Sequence, residues 1–513
     1  MILNLFLMLT LQLSAQDKEA YFCQNEYESL PVQAQGRVKP LRVLAEETLR
    51  FISGSSKLDD KSATEAFCLL SLESMGLKNN LKLMAKVEHV KAKEFLGLEA
   101  SVTMIDANTL VENKDTLRAQ YMSQKENDSY KKELNKLLTR AKFIEELKAG
   151  NLWTVPVVDN QQITWQALPD FLTEERVSRF KDSGRDPFTS AFYESKDAYV
   201  QVAGDAYLLE LTYVKYNLFT WSMCLALMAL GFLVVRKKVG IGLFFVISLL
   251  LIEISGIMMR IFISGRAPIT NMYETVMFSG FGCLVLALII YGIKKDKLYL
   301  LAGISYNLLC LLMMKFANNM LDPSIQTLVP VLRDNFWLST HVTTVILSYA
   351  ALALSWILAN IVLIKKMRSQ QSVEDERYDM NLIYTCLKFG VVLLSAGVIL
   401  GGVWADYSWG RFWGWDPKET WSLIVLLVYM AILHGKYSAW INNKNFVPLV
   451  AAAFMSVMMA WFGVNYILAT GLHSYGFSEG GAIFLGSFFM AQTVFLIVYL
   501  LKAKPKIDKP TQA

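Results

Sequence analysis

Three of the chain's four histidines lie in its apolar half, and two of them are placed where they could bind the metal of a planar cofactor. His341 lies near the start of one apolar segment and His473 follows the end of a later one, so the two flank a tryptophan-rich stretch at 404–421. A six-coordinate haem iron takes one neutral imidazole on each face of the macrocycle. A hydrogen bond at a helix end explains either histidine alone, but the pair around this stretch favours two haem ligands.

The stretch 404–421 is rich in large aromatic rings and holds five of the chain's twelve tryptophans. An interfacial aromatic belt explains only about one or two tryptophans at each helix end. Glycines and acidic residues separate the rings, and large rings stack on flat ligands while glycines allow close approach to the backbone. The stretch therefore predicts a binding surface for a planar ligand, in which Asp416 and Glu419 orient the loop and do not act as acid or base. The tryptophans are Trp404, Trp409, Trp413, Trp415 and Trp421.

Three further polar residues lie at membrane depth. His434 falls near the other end of the apolar segment that follows the tryptophan-rich stretch. An ionisable group there requires a partner or a function, although an interfacial position would also explain it. Glu253 and Arg260 are seven residues apart and share one helical face, so we expect either an internal ion pair or a contact to the carboxylates of a bound cofactor.

By composition, the 513-residue chain consists of one part suited to water and one part suited to a membrane. Apolar residues make up 54% and charged residues 19%, against about 25% charged in soluble proteins. The long apolar runs lie after residue 217, whereas 16–216 mixes charged and apolar residues. The net charge of +5 and the absence of basic runs interleaved with aromatics argue against a nucleic-acid partner. None of the six cysteines forms a CxxC pair, and a disulfide between Cys23 and Cys68 is an open alternative if their domain is exported.

The order of these segments predicts an all-α polytopic membrane protein with a mostly helical exported amino-terminal domain. Residues 1–15 resemble a signal peptide, or else an uncleaved anchor, and 16–216 form the extracytoplasmic domain. The domain at 217–513 is predicted to cross the membrane nine times. With the amino-terminal domain outside, the inner loops carry seventeen basic residues and the outer loops six, as the positive-inside rule requires. The predicted spans are 218–235, 239–263, 273–293, 298–315, 337–364, 383–404, 421–440, 446–468 and 481–501.

The segment WGRFWGWDPKETW closely resembles the WWD signature of haem-handling membrane proteins, and its DPKETW ending resembles the CcsA (ResC) branch of the system II cytochrome c synthases. Segments 263–278 (ISGRAPITNMYETVMF), 328–342 (LVPVLRDNFWLSTHV) and 470–477 (TGLHSYGF) match other signatures of that family in order. The resemblance covers roughly 260–500. The first 260 residues are much less specific.

This resemblance implies a haem-handling protein of the bacterial cell (inner) membrane. By position, His341 and His473 match the family's external haem ligands, 404–421 matches its haem-binding loop, and His434 matches its transmembrane histidine. The implied reaction is the attachment of haem b, the substrate in transit, to the CXXCH thiols of apocytochrome c. Fused synthases carry another transmembrane histidine in their ResB (CcsB) half, and this chain has no candidate for it, so the resemblance implies a separate ResB-like subunit.

Two other functions fit parts of the sequence. A haem carrier of the CcmC type would bind haem in the same way and pass it to a chaperone without forming a bond. A respiratory membrane cytochrome would need stacked transmembrane histidine pairs, and one histidine at membrane depth is too few.

Overall fold

A computed structural model describes residues 23, 25–76, 79–125, 129–178, 187–235, 238–317, 320–328, 334–369, 372–468 and 481–502. The chain divides into two compact units, Met1–Tyr216 and Asn217–Ala513. His473 lies outside the described residues.

The first unit is mainly helical, as predicted, and also contains three short antiparallel ribbons that were not predicted from the sequence. The ribbon β1–β2 pairs Pro31 with Pro40, and its two turn residues Gln35 and Gly36 both have positive φ. Such a turn matches the twist of a hairpin. Over the described residues the helices are α1 Leu41–Ser53, α2 Ala63–Ser71, α3 Val90–Phe95, α4 Ala107–Glu112, α5 Lys114–Ser123, α6 Ser129–Lys148, α7 Leu168–Phe171, α8 Glu174–Ser178, α9 Pro187–Ala203 and α10 Leu208–Tyr216. The strands are β1 Pro31–Ala34, β2 Arg37–Pro40, β3 Met84–Lys86, β4 Met104–Asp106, β5 Thr154–Asp159 and β6 Gln162–Ala167, with 3-10 turns at Asn25–Ser29 and Glu73–Met75.

The core of the first unit contains a disulfide and a stack of aromatic rings. Cys23 and Cys68 are bonded, which resolves the alternative left open by the sequence. Trp153 is buried and stacks on Phe192 with ring centroids 5.0 Å apart. Beside the core, Glu88 accepts a hydrogen bond from Lys136 at 2.7 Å and pairs with Lys86. Burial alone would raise the pKa of Glu88, but the bonds from the two lysines outweigh it and lower that pKa to about 2.

The second unit consists of long apolar helices. The described part of the chain holds nine candidate membrane spans, which confirms the all-α polytopic prediction; the first of them, Leu208–Val235, combines α10 and α11. The helices of this unit are α11 Leu218–Leu230, continued by a π-helical turn at Gly231–Val235, α12 Val239–Ser264, α13 Met272–Lys294, α14 Lys297–Phe316, α15 Asn335–Arg368, α16 Val373–Trp409, α17 Pro417–Tyr437, α18 Asn443–Leu468 and α19 Gly481–Lys502.

Helix α15 is the centre of this bundle and packs against α13, α14, α16 and α18. Its buried face carries small side chains, among them Ala350, Ala351, Ala353 and Ser355. Small residues let membrane helices approach closely, because lipid offers no hydrophobic driving force between helices. On the facing side of α16, a Cβ added at Gly390 would lie 2.5 Å from Leu352. The small residues of α15 and the glycine of α16 therefore both favour close backbone contact between these two helices.

The expected ion pair between Glu253 and Arg260 is wrong. Arg260 is fully buried, and its Nε donates at 2.8 Å to Glu274 on α13. Glu253 instead accepts a hydrogen bond from Asn307 Nδ2 on α14 at 2.8 Å. Both residues share a helical face as predicted, but each finds a partner on a different neighbouring helix, and sequence spacing within α12 cannot reveal that.

Candidate functional site

A cavity opens at the end of the second unit where the 404–421 stretch lies. The cavity has a volume of about 170 Å³ and is partly open to solvent. Five parts of the chain line it: the segment 269–275, the first turns of α15, the end of α16, the 413–422 segment and the end of α18. Most of the lining residues are apolar or aromatic, as expected of a site for a flat hydrophobic ligand.

His341 lies in this cavity, on a π-helical turn over Leu338–Val342. Its Nδ1 is 2.9 Å from the carbonyl oxygen of Gly397 on α16. A carbonyl oxygen only accepts hydrogen bonds, so Nδ1 carries the proton and donates it, and Nε2 carries the lone pair. A backbone carbonyl that fixes the tautomer in this way is the usual second contact of a metal-binding histidine. The imidazole is thus oriented to act as a metal ligand through Nε2.

The position of His341 depends on a glycine beside it. A Cβ added at Gly401 would lie 2.6 Å from His341 Cε1 and 3.1 Å from Nδ1. Only a residue without a side chain leaves room for the ring next to α16. Gly397 and Gly401 form a GxxxG pair, a pattern typical of close helix contacts. Neither glycine was predicted to belong to the site, although this pattern in the sequence could have identified both.

Trp404 closes one side of the cavity next to the histidine. Its ring is 7% exposed and meets the His341 ring edge-on, with centroids 5.7 Å apart. It packs with Ile269 and Leu338 in a small apolar cluster. The Trp404 Nε1 group is buried and has no hydrogen-bond partner among the described residues. A buried N–H of this kind costs free energy unless a ligand or water accepts its hydrogen bond, so it marks a polar contact available to a bound molecule.

The other tryptophans of the stretch divide between the cavity and the surface. Trp413 lines the cavity. Trp415 is 70% exposed and contacts Trp413 edge-on at 6.1 Å. Trp409 lies under the guanidinium of Arg411 at 5.6 Å, and Trp421 is partly buried on α17; neither lines the cavity. The structure therefore brings two of the five predicted rings together with His341.

The two acidic residues of the stretch organise the backbone. Asp416 caps α17 and forms a capping box with Glu419. Glu419 Oε2 accepts hydrogen bonds from Gly414 N at 2.7 Å and Asp416 N at 3.2 Å, and Arg411 donates to its Oε1 at 3.2 Å. Trp415, between the two donors, has a φ of +56°. Glu419 thus holds the loop in a strained turn, and Asp416 orients α17 without lining the cavity.

The segment 269–275 forms one side of the cavity, and no role at the site was predicted for it from the sequence. Glu274 anchors it, because its Oε2 accepts from Thr270 N and Thr270 Oγ1, each at 2.7 Å. Arg260 binds the other oxygen of Glu274 and also donates to the Pro323 carbonyl at 2.9 Å. From the opposite side, Trp461 Nε1 donates to Thr275 Oγ1 at 3.2 Å. The buried ion pair therefore fixes the backbone that faces His341.

His434 does not belong to this cavity. It lies on the exposed face of α17, and its Nδ1 is 2.9 Å from the Met430 carbonyl oxygen. Fifteen residues separate it from Glu419, and a rise of about 1.5 Å per residue makes that about 22 Å along the helix. One ligand the size of a tetrapyrrole cannot contact both ends. His434 and His341 therefore belong to different places in the bundle.

The fold and the cavity define a polytopic helical membrane protein whose cavity is lined in part by a histidine and tryptophans. The family described as "Cytochrome C assembly protein" matches residues 269–473. The chain is 37% identical over 240 residues to cytochrome c biogenesis protein CcsA of Guillardia theta, covering 42% of this chain and 78% of the relative. It is 33% identical over 258 residues to CcsA of Prochlorococcus marinus, covering 43% and 80%.

A longer match extends beyond the membrane unit. Protein NrfI of Wolinella succinogenes is 28% identical over 500 residues, which cover 87% of this chain and 54% of NrfI. This chain thus spans about half the length of NrfI, and the similarity reaches into the first 260 residues. The chain belongs to the CcsA (ResC) family of membrane proteins and has a role in cytochrome c biogenesis.

Proposed function

We propose that the chain binds haem in the cavity beside His341 and presents it for covalent attachment to apocytochrome c. The observation that carries this proposal is the oriented imidazole: Nδ1 is held by the Gly397 carbonyl, so Nε2 is the ring nitrogen that would bind iron. Trp404 and Trp413 supply ring surfaces for the macrocycle beside it. His473 is the proposed second axial ligand, from the opposite face of the haem.

In this reaction the protein must position the haem and the thiols, and it need not supply an acid or a base. Each CXXCH thiol adds across a haem vinyl group, so a carbon–sulfur bond forms, the thiol proton ends on the other vinyl carbon, and no oxidant is consumed. Two histidines and a tryptophan surface would hold the vinyl groups in one place until the substrate histidine displaces an axial ligand. Asp416 and Glu419 are already engaged as a helix cap and loop anchor, which supports an orienting role for both.

A second haem position at His434 is part of the proposal. An ionisable side chain on the exposed face of a membrane helix calls for a partner. A ResB-like membrane subunit that packs on this face of α17 would supply the second imidazole, and haem would enter there before reaching the cavity. We place the chain in the bacterial inner membrane with its amino-terminal unit outside, and the disulfide Cys23–Cys68 supports this because such bonds persist in oxidising compartments.

The test is maturation of a reporter cytochrome in a bacterial strain that lacks its own maturation system. The chain, a ResB-like partner and an apocytochrome are expressed together, and covalent haem is detected after denaturing electrophoresis. We expect His341→Ala and His473→Ala to abolish maturation, added imidazole to restore part of it, and His89→Ala in the first unit to leave it unchanged. Full maturation in His341→Ala would contradict the proposal.

The same experiment distinguishes a subunit of a cytochrome c synthase from a haem carrier. If the chain binds haem through His341 but no covalent cytochrome forms with the partner present, the chain is a haem carrier of the CcmC kind and not a synthase subunit. A His434→Ala variant reports on entry, because loss of haem from both positions is expected if the external site is filled through the internal one. Full external haem in that variant would contradict entry by this route.

A further inference from the structure

A pair of polar side chains lies inside the membrane unit and does not line the cavity beside His341. Glu253 on α12 is 2% exposed, and Asn307 on α14 is 1% exposed. Asn307 Nδ2 donates to Glu253 Oε1 at 2.8 Å, and among the described residues this is the one hydrogen bond of the Glu253 carboxyl. A carboxylate at membrane depth is costly without a counter-charge or a task.

Two oxygen atoms of this pair lack a donor. Glu253 Oε2 and Asn307 Oδ1 are buried, and neither has a hydrogen-bond partner in the part of the chain that the structure describes. An ionised carboxylate and an amide carbonyl only accept hydrogen bonds, so these two atoms cannot satisfy each other in that state. A protonated carboxyl has one O–H group that donates. One proton on Oε2 would therefore provide the donor that Oδ1 lacks and would also remove the charge.

Helix α11 brings no charge to this place. It precedes α12 through a short connection, so the two helices are antiparallel neighbours. A Cβ added at Gly256 would lie 3.0 Å from the Phe219 ring, which fixes their register. One turn from each of these contacts, Ser222 on α11 is level with Glu253. Helix α11 contains no Asp, Glu, Lys or Arg, so its polar group at this level is the uncharged hydroxyl of Ser222.

The other two neighbouring helices also lack a cation at this level. From α14, the titratable group that interacts electrostatically with Glu253 is the thiol of Cys310. Helix α13 meets the pair with Gly280, where an added Cβ would lie 3.5 Å from Asn307 Nδ2. The charged residues of both helices lie near their ends, namely Lys297 and Lys315 on α14 and Glu274 and Lys294 on α13.

We propose that Glu253 and Asn307 form a proton-binding site between α12 and α14. The proton comes from bulk solvent, lies on Glu253 Oε2 and is donated to Asn307 Oδ1, while Nδ2 donates to Oε1. The two side chains then form a neutral pair with two hydrogen bonds. Helix α12 also carries Arg260, about 10 Å further along its axis, which fixes a wall of the cavity. The bound proton thus stabilises the helix that supports the cavity, and the inference does not depend on the proposed function.

The test is the infrared spectrum of the full-length chain, purified in detergent at neutral pH. A protonated carboxyl has a C=O stretching band that is separate from the bands of carboxylates and backbone amides. Spectra are recorded for wild type, Glu253→Gln and Asn307→Leu. Glu88→Gln is the matched control, because the pKa of Glu88 is about 2 and this residue is ionised at neutral pH. Thermal unfolding of the same proteins is followed from neutral to alkaline pH.

We expect Glu253→Gln to lose a protonated-carboxyl band that Glu88→Gln keeps. Asn307→Leu should shift this band to higher frequency, because the C=O group loses its donor. A band unchanged by Glu253→Gln would mean that Glu253 is ionised and would overturn the inference. An unshifted band in Asn307→Leu would overturn the assignment of Asn307 as the partner.

Thermal unfolding provides a second readout. Glu253→Gln should unfold at the wild-type temperature at neutral pH, because its amide N–H replaces the O–H of the acid. At alkaline pH the wild type loses the proton and buries an unpaired charge, so its unfolding temperature should fall below that of Glu253→Gln. A variant less stable than wild type at neutral pH would show that the negative charge is needed, and would overturn the inference.

Discussion

Substitution of Gly401 by alanine is the sharpest test of how α16 positions His341. The added Cβ would lie 2.6 Å from His341 Cε1, whereas ordinary contacts begin at 3.4 Å. The imidazole must therefore move by at least about 0.8 Å or turn away, and functional sites tolerate only about 0.5 Å. The movement also threatens the hydrogen bond from Nδ1 to Gly397, because the new atom would be 3.1 Å from Nδ1.

The expected loss of haem affinity in Gly401→Ala follows from the displacement of the imidazole and from the weaker hydrogen bond to Gly397. Loss of the bond to Gly397 removes about 1 kcal/mol, and the ring displacement adds to it. Changes behind a metal ligand typically cost about 10- to 100-fold in affinity, and we expect haem binding by Gly401→Ala to weaken by that factor. Alanine is the better helix former by about 1 kcal/mol, so a defect cannot be assigned to a weaker helix.

The assay is an absorption titration of the purified chain with haem, together with maturation of the reporter cytochrome. Gly292→Ala is the matched control, since it makes the same change in membrane helix α13 where a Cβ would meet nothing within 4 Å. Added imidazole should restore the spectrum of the Gly401→Ala variant by replacing the displaced side chain. Wild-type affinity and spectrum in Gly401→Ala would refute the claim that this contact positions the ligand.

Three further predictions concern the elements that support the site and the first unit. Glu274→Ala should cost about 3–5 kcal/mol, because it leaves Arg260 buried without its counter-charge, and should lower both the thermal midpoint and haem occupancy; an unchanged midpoint would contradict this. The pKa of Glu88 lies at about 2, below its ordinary 4.5, so ionised Glu88 stabilises the folded first unit by about 1–2 kcal/mol after solvent screening. This contribution is present above pH 4.5 and is lost as the pH falls towards 2. In thermal unfolding, Glu88→Gln should therefore reduce the dependence of stability on pH. Cys68→Ala opens a loop of 45 residues to Cys23 and should cost about 4 kcal/mol, measured as faster proteolysis of the first unit.

The membrane helices and the location of His341 beside part of the tryptophan-rich stretch could be predicted from sequence because their signals are local. Each apolar run has the length of a bilayer, and the nine spans follow from that alone. His341 and the tryptophan-rich stretch are notable by composition, and the structure brings His341, Trp404 and Trp413 to one cavity. The positions of Trp409 and Trp421 outside it depend on which way each side chain leaves its helix end, which composition does not report.

The contacts between helices could not be predicted, because they depend on packing between segments far apart in the chain. The spacing of Glu253 and Arg260 on one helical face allows an ion pair between them or a contact to the carboxylates of a cofactor, whereas the partner of Arg260 is Glu274 after a turn. The ribbons of the first unit were missed because strands of three to six residues give weak periodic patterns. The role of Asp416 as a helix cap was locally visible in the DPKE sequence, since an acid three residues before a glutamate is a capping signature.

The most direct test of the central claim is the spectrum of haem bound to the purified chain. We expect a six-coordinate, low-spin haem with two imidazole ligands in the wild type. In His341→Ala we expect a five-coordinate haem that returns to low spin when imidazole is added, and in His89→Ala no change. A His341→Ala chain with the wild-type spectrum and haem content would contradict the assignment of His341 as the ligand in this cavity.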